Sequence, residues 1–468
     1  MTGTQAKDGS SADRRDMMFD GALNSVLQTD KRDYPCYVGG LKVASGNEYV
    51  VKSPIDQSIH FGRFQEPEPD LSARAVDVAN AAFTSWSKTD PLTRAGIFET
   101  VLDTIKRQMY RIAASVTLSA GMTRNESLYE VERLIEVTED GIQRIRSGVK
   151  GKPMGTFAII SEYNSPLAAP VGYAVSAMIA GNCVIVIPPK ECPFPAYMLY
   201  DIFSKLLPDG VLNLIFDAGG RATSALADNE DIKGIVATGR GDRFEDLMFS
   251  AVNDDMVFIS EFKGMNPLVV YRPSSMQAAA DITIDSAFRY SGQRIDSCSK
   301  AIITTNEQKQ FLDYLLASSK KMIIDDPAEK DTFTGPVISQ ENLDAFLKIV
   351  KENKDNLIFG GKRISNEITG SGYYVMPAIF FGLPEDHILN EMDHSLPILS
   401  VQLANDLDEA IEMANGCEFG LSSGILSKDE KVVERFLGEA GSDTVYVNGS
   451  SGAIGTALRA DVTEFLRK

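Results

Sequence analysis

The sequence predicts an α/β protein built from mostly parallel strands with covering helices. Three observations carry that reading. Short β-branched runs recur at Phe157–Ile160, Val184–Ile187, Leu212–Ile215, Gly234–Ala237 and Val257–Ser260. Helical stretches such as Ala196–Leu207 lie between them. Runs apolar on both faces fit parallel strands buried by crossover helices. The chain has 468 residues, 44% of them hydrophobic, enough for two or three domains with a substantial core.

The elements follow in order. Met1 to Asp16 is polar and rich in small residues, with no apolar run, so a disordered tail is expected rather than a signal peptide. From about 71 to 145 the chain reads as helices. Asp90-Pro91 supplies a cap and a first turn. Ile97, Val101, Leu102, Ile105, Met109 and Ile112 then recur at helical spacing. Ala168 to Pro189 is almost wholly apolar but is broken by Gly181-Asn182. A buried helix, a tight turn and a buried strand explain it better than a membrane span. A second α/β region runs from about 261 to 435, with strands near Leu268–Tyr271 and Ala301–Thr304 and a helix at Gln340–Glu352. A nucleotide would bind at the carboxyl ends of the first set of strands.

Composition narrows the partners. Net charge is 46 − 65 = −19, which repels a nucleic-acid backbone. The five cysteines are scattered, odd in number and without Cys-x-x-Cys spacing. No zinc site or disulfide framework is expected, and a reducing cytoplasm is the natural compartment. The three histidines are too dispersed for a metal cluster.

Several stretches, in order, resemble the aldehyde dehydrogenase superfamily, and within it the 1-pyrroline-5-carboxylate dehydrogenases. Phe288, Gly292 and Gln293 match the nucleophile loop Phe-x-x-x-Gly-Gln-x-Cys. Glu162-Tyr-Asn-Ser-Pro166 is similar to Pro-Trp/Phe-Asn-Phe-Pro, and Glu261-Phe-Lys-Gly-Met-Asn-Pro267 to Glu-Leu-Gly-Gly-Lys-Asn/Ser-Pro. The resemblance implies an aldehyde dehydrogenase-like fold: a Rossmann-type cofactor domain over 17–256, an α/β catalytic domain over 257–435, and a return segment with a truncated oligomerisation region over 436–468. It places Asn164 at the oxyanion-hole asparagine and Glu261 at the general base that activates water. The bland alternatives are a turn cap for Asn164 and a solvated strand-end carboxylate for Glu261.

Departures gather at functional positions. The nucleophile position is Ile295, and a cysteine follows only at Cys298. A shift of three residues is about 4.5 Å along a helix or about 10 Å along a strand, so Cys298 replaces the thiol only if the loop changes register. Otherwise it matches a second, non-nucleophilic cysteine and packs as a small hydrophobe. The lysine that holds the adenosine ribose in the family is Ile187 here, and Lys190 stands where NAD-specific members carry Glu. Lys190 is either a 2′-phosphate contact, favouring NADP, or a surface lysine. Arg240 replaces a serine after Gly239 in the turn expected to open a helix below the pyrophosphate. Asp393 stands for the ribose-binding Glu, and Ser395 for the Phe that packs near nicotinamide. The dimer-to-tetramer hairpin is shortened to Arg146–Lys152, so a homodimer is expected rather than a tetramer.

Two functions follow. One is NAD(P)-dependent oxidation of a small aldehyde or semialdehyde to the acid, with its Cys-dependent chemistry in doubt and cofactor binding weak or lost. The other is a catalytically inactive binding or regulatory protein on the same fold.

Overall fold

The computed structural model describes residues 6–29, 32–245, 247–248, 256–367, 369–417, 420–453 and 460–467. Two seven-stranded sheets organise it. In the first, the strand order is Val257–Lys263, Ile232–Arg240, Thr156–Ser161, Cys183–Ile187, Leu212–Leu214, Cys36–Val38 and Leu41–Val43. The first five run parallel, and the last two add antiparallel at one edge. The chain starts at Thr156–Ser161, moves outward twice, then returns to the other side of that strand with Ile232–Arg240. Strand order therefore reverses between these two strands, the place where doubly wound sheets open a crevice at their carboxyl ends.

The second sheet runs Leu357–Phe359, Ala378–Phe381, Ile398–Ala404, Lys300–Thr304, Leu268–Val270, Ser422–Leu426 and Thr444–Val447. All neighbours are parallel except the first pair. Both central strands Cys183–Ile187 and Lys300–Thr304 are buried along their whole length, which is why their sequences do not alternate.

Local chemistry explains the helices. Asp90 caps Pro91–Ala120 by accepting from Thr93 N at 3.0 Å, and Pro91 fills the first turn. Thr123 and Glu126 form a capping box on Arg124–Arg146. The apolar run folds as the buried helix Ala168–Ala180, a left-handed Gly181 and the strand Cys183–Ile187. Among the described residues no helix is long and apolar enough to cross a membrane.

Four expectations need correction. The tail expected to be disordered through Asp16 is helical from Ala6, within a helix ending at Leu27; Met1–Gln5 lie outside the described residues. Phe19, Leu23 and Val26 bury in the core, and Arg124 and Lys330 pair with Asp16. Val257, expected to begin the catalytic domain, begins a strand of the first sheet. The second sheet reaches Val447, beyond the expected limit at 435. Gly239 and Arg240 lie in the strand Ile232–Arg240, followed by a 3-10 turn at Gly241–Arg243, instead of opening a helix directly. Lys152–Pro153 pairs antiparallel with Leu466–Arg467.

Candidate active site

The nucleophile loop is held by its own backbone. Tyr290 and Ser291 both sit at φ 50° and Gly292 at φ 65°. Such conformations cost about 1–3 kcal/mol each in non-glycine residues and persist only where surroundings fix them. Here Ser291 N donates to Thr334 Oγ1 at 2.7 Å and Tyr290 N to Glu126 Oε1 at 2.8 Å. A Cβ on Gly292 would lie 2.5 Å from Leu396 O, so glycine is required. Gln293 staples the loop, accepting from Ile338 N at 2.9 Å and donating to Tyr290 O at 3.2 Å.

That loop places Ile295 in the wall of a cleft of about 290 Å³, beside Asn164. Ile295 is 2% exposed. Cys298 is not among the cleft-lining residues. It is fully buried against Phe288, Leu268 and Ala301, its N–H donates to Ser286 O at 3.0 Å, and its Sγ donates to Lys300 O at 3.3 Å. Burial pushes its thiol up to about 12. The register of the loop is therefore unshifted, and the thiol faces the core.

Asn164 follows the strand Thr156–Ser161 and reaches the cleft. Its Nδ2 donates to Gln293 O at 2.6 Å and Ser395 Oγ at 3.3 Å. Its Oδ1 has no partner. The amide N–H groups, which an oxyanion hole would aim at a ligand, are thus spent on the protein itself. Glu261 is 3% exposed, paired in register with Thr238, and is not among the cleft-lining residues.

The cofactor-side residues gather around the reversal of strand order. Ile187 ends its strand and is buried; Lys190 is exposed. Gly239 has φ 139°, and a Cβ there would lie 2.6 Å from Glu162 Oε2 and 2.7 Å from Glu162 Cβ and Cγ. The side chain of Glu162 therefore covers the open face of this glycine. Its carboxylate accepts from Arg240 N at 2.8 Å and pairs with Arg243 Nη1 at 3.0 Å. Burial raises the Glu162 carboxyl, against the pull of Arg243. Arg240 turns its guanidinium to Asp242.

Asp393 is equally committed. Its Oδ1 lies 3.1 Å from Lys263 Nζ and accepts from Ser395 N at 2.6 Å, while Ser299 Oγ donates to Oδ2. The side chains of Lys263 and Asp393 are 0% and 3% exposed.

Sequence reasoning singled out Asp393 but missed Glu162, Lys263 and Arg243. Two of these were visible as departures. Glu162 stands where the resembled motif has proline, and Lys263 where it has the first glycine of Gly-Gly. The cleft carboxylates Glu126 and Glu130, on the helix Arg124–Arg146, carried no motif signal.

Comparison with known proteins fits this architecture. The model of the aldehyde dehydrogenase family matches residues 42–457. A 1-pyrroline-5-carboxylate dehydrogenase of Geobacillus sp. (strain WCH70) is 28% identical over 461 residues, covering 93% of this chain and 89% of the relative. An α-ketoglutaric semialdehyde dehydrogenase of Bacillus subtilis (strain 168) is 26% identical, with 91% and 92% covered. The solved structure of 1-pyrroline-5-carboxylate dehydrogenase from Thermus with bound NAD superimposes with a TM-score of 0.88 at 23% identity, covering 96% of this chain and 90% of that one. A match to the family over most of the chain, with the same two-sheet architecture, identifies this protein as a member of the aldehyde dehydrogenase family.

Proposed function

We propose that this chain is an aldehyde dehydrogenase-like oxidoreductase by descent whose cleft still receives a small aldehyde or semialdehyde, and in which the thiol-dependent oxidation has been lost. The position of Ile295 carries the reading. In the thiol route, a thiolate sulfur would add to the carbonyl carbon, a bound oxidised nicotinamide would accept the hydride from that carbon to leave a thioester, and water would hydrolyse the thioester to the acid and the free thiol. Isoleucine forms no such bond. Cys298 offers no substitute, because a thiol raised to about 12 and fully buried is neither ionised nor within reach of the cleft.

The cofactor side supports the same reading. Nicotinamide dinucleotides place a diphosphate near the reversal of strand order. A diphosphate above Gly239 would meet the Glu162 carboxylate, and ribose hydroxyls would find Asp393 already held by Lys263, Ser299 and Ser395 N. These residues do not fit a dinucleotide as they stand. NAD or NADP binding is therefore weak or lost, and the Lys190 hint toward NADP has no built phosphate site behind it.

A second reading keeps NAD(P)-dependent oxidation, and it rests on the family match over 42–457 and on Asn164 beside position 295. One experiment separates the two. NAD and NADP are titrated while thermal melting is followed, and aldehydes and semialdehydes are then assayed. The proposal expects no cofactor shift and no turnover. Turnover abolished by Cys298→Ser would overturn it in favour of a relocated thiol, and turnover that survives Cys298→Ser would point to a thiol-free route.

We also infer a homodimer in a reducing cytoplasm. The two-residue strand Lys152–Pro153 leaves little hairpin for a tetramer contact, and all five cysteines are free. A stable tetramer by light scattering at micromolar concentration would contradict the first inference.

A further inference from the structure

The charges lining the cleft do not cancel. Its walls carry four carboxylates, Glu126, Glu130, Asp285 and Asp296, and two guanidinium groups, Arg289 and Arg294. Both cations are already satisfied. Arg294 Nε lies 3.1 Å from Asp296 Oδ1, and Arg289 Nε lies 2.8 Å from Asp285 Oδ1. Arg289 also donates to Phe333 O at 3.1 Å and lies over the Phe333 ring at 4.3 Å.

Glu126 and Glu130 form no ion pair within 4 Å among the described residues, and only Glu126 feels the Arg294 guanidinium across the cleft. They sit at i and i+4 on one helix face, where like charges repel. Both are hydrogen-bonded by amides. Glu126 accepts from Thr123 N and Tyr290 N at 2.8 Å each. Glu130 accepts from Leu167 N at 3.1 Å, Ala168 N at 2.9 Å and Ser165 Oγ at 3.1 Å. The amides favour the charged forms, but burial still raises the Glu130 carboxyl above its ordinary value, so a bound cation would be what holds it ionised. The same wall contains Ile295 and Asn164, the latter 3% exposed with a bare Oδ1 acceptor. A buried acceptor without a donor is costly, and a ligand N–H removes the cost.

We propose that this cleft selects a small organic ammonium ion, its N–H groups shared between the Glu126 and Glu130 carboxylates and Asn164 Oδ1, with Ile295 packed against the carbon chain. The proposal rests on the ligand-binding reading above and names the class of ligand. It separates this chain from the Bacillus subtilis relative, whose named substrate, α-ketoglutaric semialdehyde, is a carboxylate. The guanidinium groups that would attract a carboxylate are tied to Asp285 and Asp296.

The test uses three probes of one shape and different charge: n-butylamine, n-butanol and butyrate, with butanal as the carbonyl control. Thermal melting and calorimetric titration on the full chain read binding. The amine should bind saturably, at least tenfold more tightly than the alcohol or butyrate, and should weaken with salt. Asn164→Ala and Glu126→Gln should each weaken it by at least fivefold. If either variant fails to fold, the charge selectivity of the unaltered protein decides alone. Butyrate or butanol binding as tightly as the amine overturns the cation inference and leaves the cleft reading intact. No binding of any probe, butanal included, overturns both.

Discussion

The cofactor face and the aldehyde cleft use buried charge in opposite ways. Near the reversal of strand order two buried anions are paired with cations: Glu162 with Arg243 and Asp393 with Lys263. In the cleft, Glu126 and Glu130 accept from amides and form no ion pair within 4 Å among the described residues, Glu126 feeling Arg294 only at longer range, and Asn164 keeps a bare oxygen. A charge set that cancels internally gains little from a ligand, because each new contact replaces one already made. An uncancelled set gains from a ligand of opposite sign. On the proposed reading, one fold holds a face whose charges are paired among its own side chains and a cleft that keeps carboxylates outside any ion pair.

The comparison is broken most directly at Asp393. Asp393→Ala strips the partner from a lysine that is 0% exposed, and such a loss costs about 3–5 kcal/mol. Urea unfolding measures it. The double variant Asp393→Leu, Lys263→Met should recover most of the loss, since a buried pair replaced by apolar groups is often close to neutral. A cost below about 1 kcal/mol for the single variant would mean the closed face is not held by this pair.

Gly239→Ala comes next. A Cβ at φ 139° meets Glu162 at 2.6 Å, and strain of about 1–3 kcal/mol is expected. Adding Glu162→Ala should return the steric part only, leaving the backbone part. Full recovery would show that Glu162 alone sets the cost.

The cleft side is sharpened by pH. Burial raises the Glu130 carboxyl above its ordinary value, opposed by the Ala168 and Leu167 amides and Ser165. The folded protein therefore binds this proton more tightly than the unfolded chain. The stabilisation is complete below the unfolded pKa and is lost as pH rises through the folded one. Each pH unit separating those two values is worth about 1.4 kcal/mol. Glu130→Gln removes that dependence. The melting temperature of the Gln variant, relative to the unaltered protein, should rise between pH 4 and pH 8. A flat difference would mean that amides and hydroxyl fully offset burial.

The smallest effect on stability is expected from Ile295→Cys, yet it changes reactivity most. With Cys298 buried and raised to about 12, iodoacetamide at pH 8 should leave Cys298 unmodified in the native protein. The thiol introduced at position 295, which lines the cleft although the residue there is 2% exposed, should be alkylated faster than Cys298. Mass spectrometry of the peptide containing both positions reads the two outcomes at once.

Much of the fold was legible because its signals are local. The helix Gln340–Glu352 has the boundaries its pattern implied, and Asp90-Pro91 caps the helix it was expected to cap. The strand Cys183–Ile187 lies within one residue of its expected start. The N-terminal helix was not legible, since its fixed place depends on Phe19, Leu23 and distant ion pairs with Arg124 and Lys330. Nor were the small early strands, such as Cys36–Val38, whose pairing partner Leu214 is far along the chain. At the site, the missing thiol at Ile295 was plain from spacing. The role of Lys263 was not, although its departure from the glycine of the motif was in view.

The α/β alternation, the family and the lack of a thiol at position 295 are all readable from the chain, because each depends on residue identity in a local pattern. Which charges meet was settled by tertiary packing. It turned Cys298 into the core, spent the Asn164 N–H groups on Gln293 and Ser395, laid Glu162 over Gly239, and set Glu126 and Glu130 in the cleft wall hydrogen-bonded to amides, while Arg289 and Arg294 pair with Asp285 and Asp296. The reason is physical: local pattern sets which face of an element is apolar, whereas ion pairing and burial depend on side chains from distant elements that share a site only once the sheets have packed.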